Sequence, residues 1–514
     1  MGIFINGSIL PGRIDAERWA GVYDDSLKIL SYGQLAECVD RDYLGQAYLS
    51  LVPSVDTNGK WHVTGDMITG SNMESHTLHR DLSYYQRENR SEAGDVLLAD
   101  IWDADKYGLS VPDAASYFSS KTQGERGHLY LLAVACLITD AFPEAASVSG
   151  DITAAQCQRA CEIVQAATGR NIRIPVQFDY VRLYDRLVKL EPDESRLLRL
   201  FFDLYHGAKG KPYRQFLQDH FSIDAFRDWF LEEHRDSGLE PIVREWLELD
   251  LPLQELCGFV VHGESGWQFS VQDLIGTLVT GHVHIRDKNT YDVTKTDPDN
   301  ERPDNVPMLF TRAFAMLAGM RNRNIDRYIP EDELKKTLRD AFPDENTDEL
   351  FDAAVKADTT EPDANDKKGA HRKIVDGIYQ FVEEKARELQ AKPEQYDLDR
   401  WQDAFFWKPG QSVVPALLEN MRKTAAQVLE FGKSNMEEFR PLDVYSRVCY
   451  LMQRTYRRMA FPETVWQNII RRVMEDEYIV RYVGLVNVDT DSKNGSEIVN
   501  YFSMNPELFA FLLQ

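Results

Sequence analysis

The sequence predicts a mainly α-helical, multidomain protein in which helical bundles follow a small N-terminal α+β domain. The chain has 514 residues and is 43% hydrophobic. This is enough for several cores, because single cores stop growing at about 250 to 300 residues. After residue 126, apolar residues recur mainly at helical spacing. Before that point, short strand-like segments alternate with turns.

Residues 1–125 are predicted to form the small α+β domain. We expect strands at Gly2–Asn6, Trp61–Thr64 and Asp95–Ile101. We expect one helix, near Ser26–Val39. The dipeptide Asn58-Gly59 predicts a hairpin between Leu49–Val55 and Trp61–Thr64, because a tight primed turn needs positive φ, which Asn and Gly tolerate.

Residues 126–245 are predicted to form a helical domain. Leu129–Phe142 is apolar nearly all round, so it should lie at the centre of a bundle. Thr153 and Gln156 form a capping-box pattern at the start of the next helix, and Gly169 suits its left-handed exit. A further helix is predicted to begin at Pro192.

The remaining residues are predicted to form three further parts. Residues 246–305 are expected to be a mixed strand and loop insert, with Leu256–Val261 as a strand. A second helical domain is expected at 306–480, with amphipathic helices at Ile374–Leu389 and Val413–Phe431. It is preceded or interrupted by an acidic linker at 344–366, which carries nine acids and one Lys. Residues 481–514 are expected to form an extended segment or hairpin.

The charge of the chain narrows the classes of partner. There are 83 Asp and Glu against 58 Lys and Arg, a formal charge of −25. Such a surface repels phosphate backbones and anionic lipids. Nucleic acid and membranes are therefore disfavoured as partners, and a basic protein is favoured. Cationic ligands and divalent metals also fit this charge.

The cellular location is predicted from the cysteines and from the apolar runs. The six cysteines are scattered and form no disulfide framework, which is typical of a reducing compartment. The longest apolar run, Leu129–Ile138, is about half of the roughly 20 residues needed to cross a bilayer. The N-terminus lacks the features of a signal peptide. We therefore expect a soluble, cytoplasmic protein.

Two groups of histidines have spacings that suit a metal site. His76 and His79 lie close to Glu74 and Asp81 in the sequence, and these are ligand types for zinc or another transition metal. His282 and His284 would share one face of a strand, with Asp287 nearby as a third ligand. The alternative for both groups is a polar loop or edge strand. No cofactor is predicted, but a divalent metal remains open.

Ser265 is a candidate nucleophile. It lies in Gly263-Glu264-Ser265-Gly266, directly after the predicted strand 256–261, which is the context of a nucleophile elbow. The elbow needs a small residue where Trp267 stands, so a loop serine is the alternative. The chain contains no Walker A, dinucleotide-binding, HExxH or CxxC motif, which disfavours the enzyme classes that depend on them.

One pattern in the predicted helical domain points to RNA cleavage. Arg227-Asp228 with His234, and Arg214 with His220, resemble the ribonuclease motif of HEPN domains. The resemblance covers fewer than ten residues. It implies that Arg227 and His234 act on the RNA 2′-hydroxyl and on the scissile phosphate.

Arginine and aromatic residues are dense between Tyr450 and Arg472. This group contains Arg454, Arg457, Arg458, Trp466 and Arg471. Arginine with aromatic side chains is typical both of protein interfaces and of nucleic-acid grooves, so a protein or a phosphate contact would fit. The alternative is internal pairing of these arginines with carboxylates on neighbouring helices.

The leading interpretation is a non-enzymatic protein-interaction module with an acidic surface that binds a basic partner. A toxin-neutralising (immunity) protein or a regulatory protein would fit it. The alternative is an enzyme, either a metal-assisted hydrolase that uses His282 and His284 or a HEPN-like ribonuclease that uses Arg227 and His234.

Overall fold

The computed structural model is mainly helical with a smaller α+β region at the N-terminus, which confirms the predicted fold class. It describes residues 3–65, 73–88, 91–101, 108–125, 127–262, 267–286, 324–359, 384, 407–413, 415–456, 458–488 and 493–514. The chain divides into two compact units. The first comprises Met1–Pro175 with Glu394–Gln514, and the second comprises Val176–Pro393. The boundary at 175 falls inside the predicted helical domain 126–245.

The N-terminal part of the first unit combines three helices with short strands. The strands are β1 (Phe4–Ile9), β2 (Ala36–Tyr43), β3 (Gln46–Pro53), β4 (Lys60–Val63), β5 (His76–His79), β6 (Ala115–Lys121) and β7 (Ala146–Gly150). The helices are α1 (Ala16–Tyr32), α2 (His128–Ala141) and α3 (Ala154–Thr168). Strand β1 lies between β6 and β7 and is antiparallel to both, with Ile5 opposite Ser120 and Gly150.

Helix α2 forms the centre of this region. Every residue from His128 to Ala141 except Asp140 is buried, and the helix packs against α1, α3, β1 and β7. The prediction of a central apolar helix is therefore confirmed. The predicted ends of α3 are also correct. Thr153 and Gln156 form both bonds of the capping box, at 3.2 and 3.0 Å, and Gly169 has φ of 76°.

Two elements predicted before residue 126 are wrong. Val96–Asp100 is a 3-10 turn capped by Asp95, not a strand. The helix predicted near 26–39 starts earlier, at Ala16, and ends at Tyr32, because residues 36–43 form strand β2. The predicted C-terminal end of this helix is wrong because residues 36–43 are a strand through their pairing with β3, and a local sequence pattern does not show that pairing.

The Asn58-Gly59 turn exists, but it does not join the predicted strands. Both residues have positive φ, 57° and 74°, and the turn bridges only Thr57 and Lys60. Strand β4 pairs with β5, whereas β3 pairs with β2 across a turn at Leu44-Gly45. Leu44 has φ of 50°, which is uncommon for leucine and gave no turn signal in the sequence.

The second unit is helical in the residues described. Its helices are α4 (Tyr180–Leu187), α5 (Glu194–Leu204), α6 (Lys211–His220), α7 (Ile223–Glu233), α8 (Leu239–Glu248), α9 (Leu253–Val261), α10 (Val271–Thr280), α11 (Glu331–Ala341) and α12 (Thr347–Thr359). The strand predicted at 256–261 is therefore wrong. A short apolar run fits either element. Here the run lies in a helix whose Phe259 packs between Trp246 and Trp267, at ring distances of 5.6 and 5.2 Å.

The C-terminal part of the first unit is a helical bundle with one short strand. Its elements are α13 (Pro415–Phe439), α14 (Val444–Thr455), β8 (Phe461–Pro462), α15 (Glu463–Arg472), α16 (Asp476–Asn487), α17 (Lys493–Met504) and α18 (Pro506–Leu512). Strand β8 extends the β2–β3 sheet by pairing in parallel with β3. The indole of Trp466 donates to the carbonyl oxygen of Leu49 at 2.8 Å.

The extended segment or hairpin predicted at 481–514 is wrong, because α16, α17 and α18 occupy this region. The β-branched residues Val480, Val483 and Val486 favour a strand locally. Packing of α16 along α13 overrides that preference. Apart from Glu384, the predicted helix at 374–389 lies outside the described residues, as do the acidic residues 360–366. Within the described ranges, no helix is both long enough and apolar enough to cross a membrane.

Candidate interaction surface

Helices α11 and α12 and the turn between them form an acidic surface on the second unit. We call residues 331–359 the acidic helix pair. Its inner side is apolar: Leu334, Leu338, Phe342 and Phe351 are at most 3% exposed, and the two helices pack on α9 and α10. Glu331, Asp332 and Glu333 form the first turn of α11, where carboxylates interact favourably with the helix dipole.

Part of the negative charge of this surface is neutralised within it. Residues 331–359 contain ten acids and four basic residues. Lys335 pairs with Glu331 at 2.8 Å and with Asp352 at 3.0 Å. Arg339 pairs with Asp348 at 2.9 Å. These contacts hold the two helices together and use several of the carboxylates.

The other exposed carboxylates of the acidic helix pair have no ion-pair partner among the described residues. They are Asp332, Glu333, Asp340, Asp344 and Glu345, together with Glu349, whose carboxylate accepts a hydrogen bond from the Asn346 amide at 2.9 Å. Asp340 lies in the last turn of α11, where a negative charge opposes the helix dipole. Together these carboxylates create a negative field beside α11. Of those named, only Asp340 lies where a negative charge is unfavourable for that helix.

Residues 224–250 form a second acidic segment, in which more of the carboxylates are paired than in the acidic helix pair. Residues 224–250 contain nine acids and three basic residues, yet most of these carboxylates form structural pairs. Arg244 pairs with Glu240 at 2.7 Å and lies 3.6 Å from Glu248, and Asp250 accepts from Arg214 at 2.7 Å. Acid density is similar in the two segments, so the difference lies in how many carboxylates are left unpaired.

Arg227 and His234 lie in this second acidic segment. Arg227 pairs with Asp224 at 3.0 Å and with Glu255 at 2.6 Å. His234 ends α7, and its Nε2 lies 2.8 Å from a Glu245 oxygen. The contacts of both residues are those of helix packing. The second HEPN-like pair is Arg214 and His220. The His220 ring also makes a contact within its own helix, because its Nδ1 lies 2.8 Å from the Phe216 carbonyl oxygen.

His282 and His284 do not lie on a strand. They occupy the turn after α10, and His282 has φ of 54°. The His282 ring nitrogens lie 2.6 Å from Asn324 Oδ1 and 3.0 Å from Asp358 Oδ2. The His284 ring packs edge-on against Phe351. The predicted same-face geometry is therefore wrong, because the chain turns instead of extending. Asp287 lies outside the described residues.

The predicted arginine and aromatic group does not form one exposed patch. Trp466 is 1% exposed and belongs to the core. Arg454 lies 4.1 Å from the centre of the Tyr450 ring, and Arg471 bonds Asn468 at 2.7 Å. Arg458 is exposed. Arg457 and the candidate nucleophile Ser265 lie outside the described residues.

His76 and His79 do not converge with Asp81 and Glu74. His76 is 2% exposed, whereas the His79 ring stacks on Tyr84 at 3.4 Å. Asp81 accepts from the Ser83 backbone and caps a 3-10 turn. Among the residues that the structure describes, no three His, Cys, Asp or Glu side chains are gathered as a metal site.

The comparisons with known proteins add no relative. No protein-family model, curated protein or solved structure matches the chain. The unpaired carboxylates were only partly predicted. The acid density of 344–366 pointed to Asp344 and Glu345. Asp340 was missed because the pattern of ion pairs depends on which helices are neighbours.

Proposed function

We propose that this protein is a non-enzymatic binding protein that uses the acidic helix pair to bind a basic protein partner. The observation that carries the proposal is the set of exposed, unpaired carboxylates on α11 and in the turn that follows. Asp340 supports it further, because its charge in the last turn of α11 is unfavourable for the helix. A charge that does not stabilise the helix on which it lies is available for contact with another molecule.

The proposed mechanism is electrostatic. Exposed carboxylates attract a basic partner, accelerate its approach and orient it before close contact forms. The buried leucines and phenylalanines of the acidic helix pair pack α11 and α12 against the rest of the second unit, and this packing fixes the positions of the helices that carry the carboxylates. The contact would then resemble the recognition of a basic cleft by a protein that mimics an anionic substrate.

A toxin-neutralising (immunity) protein or a regulatory protein is the class we propose. A cytoplasmic location is part of this proposal. It is supported by the six free thiols, five of which are buried, because such cysteine use is typical of a reducing compartment.

The proposal is tested with two charge variants of equal size. The first removes three charges from the acidic helix pair by D340N, D344N and E345Q. The control removes three exposed charges from α13 by E430Q, E437Q and E438Q. Each tagged protein is used to capture partners from the native lysate at low and high salt. The association rate constant of the captured partner is then measured for each protein.

We expect the wild type and the control to bind the same partner at low salt and to release it at high salt. The first variant should associate roughly tenfold more slowly at low salt. Equal association rates for all three proteins would contradict the proposal. Binding that is insensitive to salt would contradict it as well.

A further inference from the structure

A serine, a histidine and a glutamate form a chain of hydrogen bonds at the turn between α7 and α8. Besides its packing contacts, His234 has Nδ1 at 3.3 Å from Ser237 Oγ, and its Nε2 lies 2.8 Å from a carboxylate oxygen of Glu245. One imidazole therefore joins a hydroxyl to a carboxylate through its two ring nitrogens. Residues of these types, joined in this order, activate a serine for attack on a carbonyl carbon.

The carboxylate decides which ring nitrogen of His234 carries the proton. An ionised carboxylate only accepts hydrogen bonds, so the Nε2 atom that faces Glu245 donates. In the neutral ring Nδ1 is then a lone pair, and the Ser237 hydroxyl donates to it. His234 is thus placed to take the proton of Ser237, and Glu245 is placed to stabilise the imidazolium that results.

The two ring nitrogens are used in the opposite sense to those of the serine proteases, in which the serine faces Nε2 and the carboxylate faces Nδ1. The exchange leaves the path of the proton unchanged, because either nitrogen of a neutral imidazole can carry the lone pair that accepts it.

The position of the His234 ring is fixed by packing. His234 is 8% exposed and directly follows α7. Its ring stacks on Phe230, with 5.3 Å between the ring centres, and meets Trp229 edge-on at 6.0 Å. The Ser237 backbone donates to the carbonyl oxygen of His234 at 2.9 Å and closes the turn. The serine and the imidazole are therefore held next to each other by the backbone as well as by their side chains.

The Ser237 hydroxyl has open space beside it. Ser237 is half-buried, and the next residue, Gly238, is exposed. A Cβ atom on Gly238 would meet no atom within 4 Å. The backbone N–H groups of residues 238–240, at the start of α8, have no hydrogen-bond partner in the described part of the chain. Such groups point out of the N-terminal end of a helix, where they can stabilise the negative oxygen that forms during acyl transfer.

The charges around the turn favour an uncharged acyl donor. Residues 232–240 contain four acids and one arginine, and Glu233, Asp236 and Glu240 are exposed. These carboxylates repel an anionic donor. An uncharged ester with a good leaving group is the class of molecule that fits the site.

We propose that Ser237 is an activated nucleophile that accepts an acyl group from an uncharged ester. Its Oγ forms a bond to the ester carbonyl carbon while His234 Nδ1 takes the hydroxyl proton. The bond from that carbon to the leaving oxygen then breaks, and the leaving oxygen takes the proton from Nδ1. The products are the acylated serine and the free alcohol. One transfer per chain modifies the protein itself, so the site is compatible with binding at the acidic helix pair.

The test is reaction of the purified full chain with p-nitrophenyl acetate, followed by release of p-nitrophenol and by peptide mass mapping. A fluorophosphonate, which labels activated serines, serves as a second probe. The variants are S237A, H234Q and E245Q. The matched control is S195A, because Ser195 is also half-buried in the second unit but donates to the Asp228 carboxylate at 2.7 Å. Thermal unfolding of each variant establishes that it is folded.

The wild type and S195A should each release one equivalent of p-nitrophenol rapidly and carry the acetyl group on Ser237. S237A should lose this rapid phase. H234Q should react about 100-fold more slowly or less, because glutamine is not a base. S237A and S195A each remove a single hydroxyl, so their comparison decides the site even if H234Q fails to fold.

Glu245 acts through His234 and is a positioning residue. Nitrogen-15 spectra of histidine-labelled wild type should show the Nε2–H tautomer for His234, assigned by the loss of its signals in H234Q. In E245Q the Nδ1–H tautomer should appear and acylation should slow, because the glutamine amide can donate to Nε2. An unchanged tautomer with an unchanged rate would overturn the role of Glu245.

Two results would overturn the activated serine itself. Acetyl groups on lysines and thiols with none on Ser237 would show that the hydroxyl is not nucleophilic. Equal rates for the wild type and a folded H234Q would show that the imidazole does not activate it.

Discussion

At the scale of single residues, Arg447 makes four side-chain hydrogen bonds within the C-terminal bundle. It is 4% exposed. Its guanidinium donates to the backbone oxygens of Arg440, Leu442 and Val473 at 2.7 to 3.1 Å, and it also bonds Asp476 at 3.2 Å. These carbonyls lie just beyond α13 and α15, so one buried side chain satisfies groups at the ends of two helices.

Replacing Arg447 by Met should destabilise the bundle by about 3 to 5 kcal/mol, because it removes a buried guanidinium and leaves three backbone carbonyls and a carboxylate without their donor. The measurement is urea unfolding followed by tryptophan fluorescence. Arg440→Met is the control. It removes an exposed pair with Asp476 and should cost less than about 1 kcal/mol. Equal losses for the two variants would contradict the assigned role of Arg447.

Asp476 should make part of the stability depend on pH. The hydrogen bond from Arg440, aided by Arg447, lowers the pKa of Asp476 below 3.8. A carboxyl whose pKa is lower in the folded state stabilises the fold above the unfolded pKa, and this contribution is lost as pH falls through the folded pKa. Asp476→Asn should therefore be less stable than the wild type at about pH 7 and nearly equal to it at about pH 2 to 3. A difference between the two proteins that does not change with pH would contradict this.

Among the elements, the crossing of α13 and α16 depends on two glycines. A Cβ atom on Gly432 would overlap the carbonyl oxygen of Val480, and one on Gly484 would overlap that of Val428. Each helix therefore presents a valine carbonyl, four residues before its own glycine, to the glycine of the other. The absence of side chains at both positions permits close backbone approach.

Gly432→Ala and Gly484→Ala should each destabilise the protein by about 1 to 3 kcal/mol, because the added methyl group overpacks the crossing. Gly21→Ala is the matched control. Gly21 lies within α1 and has open space around it, so alanine should stabilise the helix by about 0.5 to 1 kcal/mol. The readout is chemical denaturation. Stabilisation by Ala at Gly432 or Gly484 would show that the helices do not cross this closely.

The elements also show which features of the fold could be predicted. Residues 128–142 are apolar on nearly all sides, so a helix there is predicted to lie at the centre of a core. Thr153 and Gln156 mark the start of α3, because the capping box consists of local hydrogen bonds. Residues 256–261 are predicted as a strand and residues 481–514 as an extended segment or hairpin, because β-branched and aromatic residues there suit strands as well as buried helices. Packing against neighbouring helices decides such cases, and those neighbours are distant in sequence.

For the whole molecule, net charge does not locate the proposed interaction surface. The first unit has 40 acidic and 28 basic residues, and the second has 43 and 30, so the excess of acid is spread over both. What distinguishes the acidic helix pair is its unpaired carboxylates. The sequence could predict a dense acidic segment near 344–366, but pairing depends on the folded arrangement of α11 and α12.

Hydrogen exchange of the whole chain, with and without its captured partner, decides whether the acidic helix pair is the binding surface. We expect the partner to slow exchange in residues 331–359 at low salt, and high salt to remove this protection. The D340N, D344N and E345Q variant should lose the protection, and the α13 control should keep it. Protection confined to other segments, with exchange in residues 331–359 unchanged, would contradict binding at the acidic helix pair.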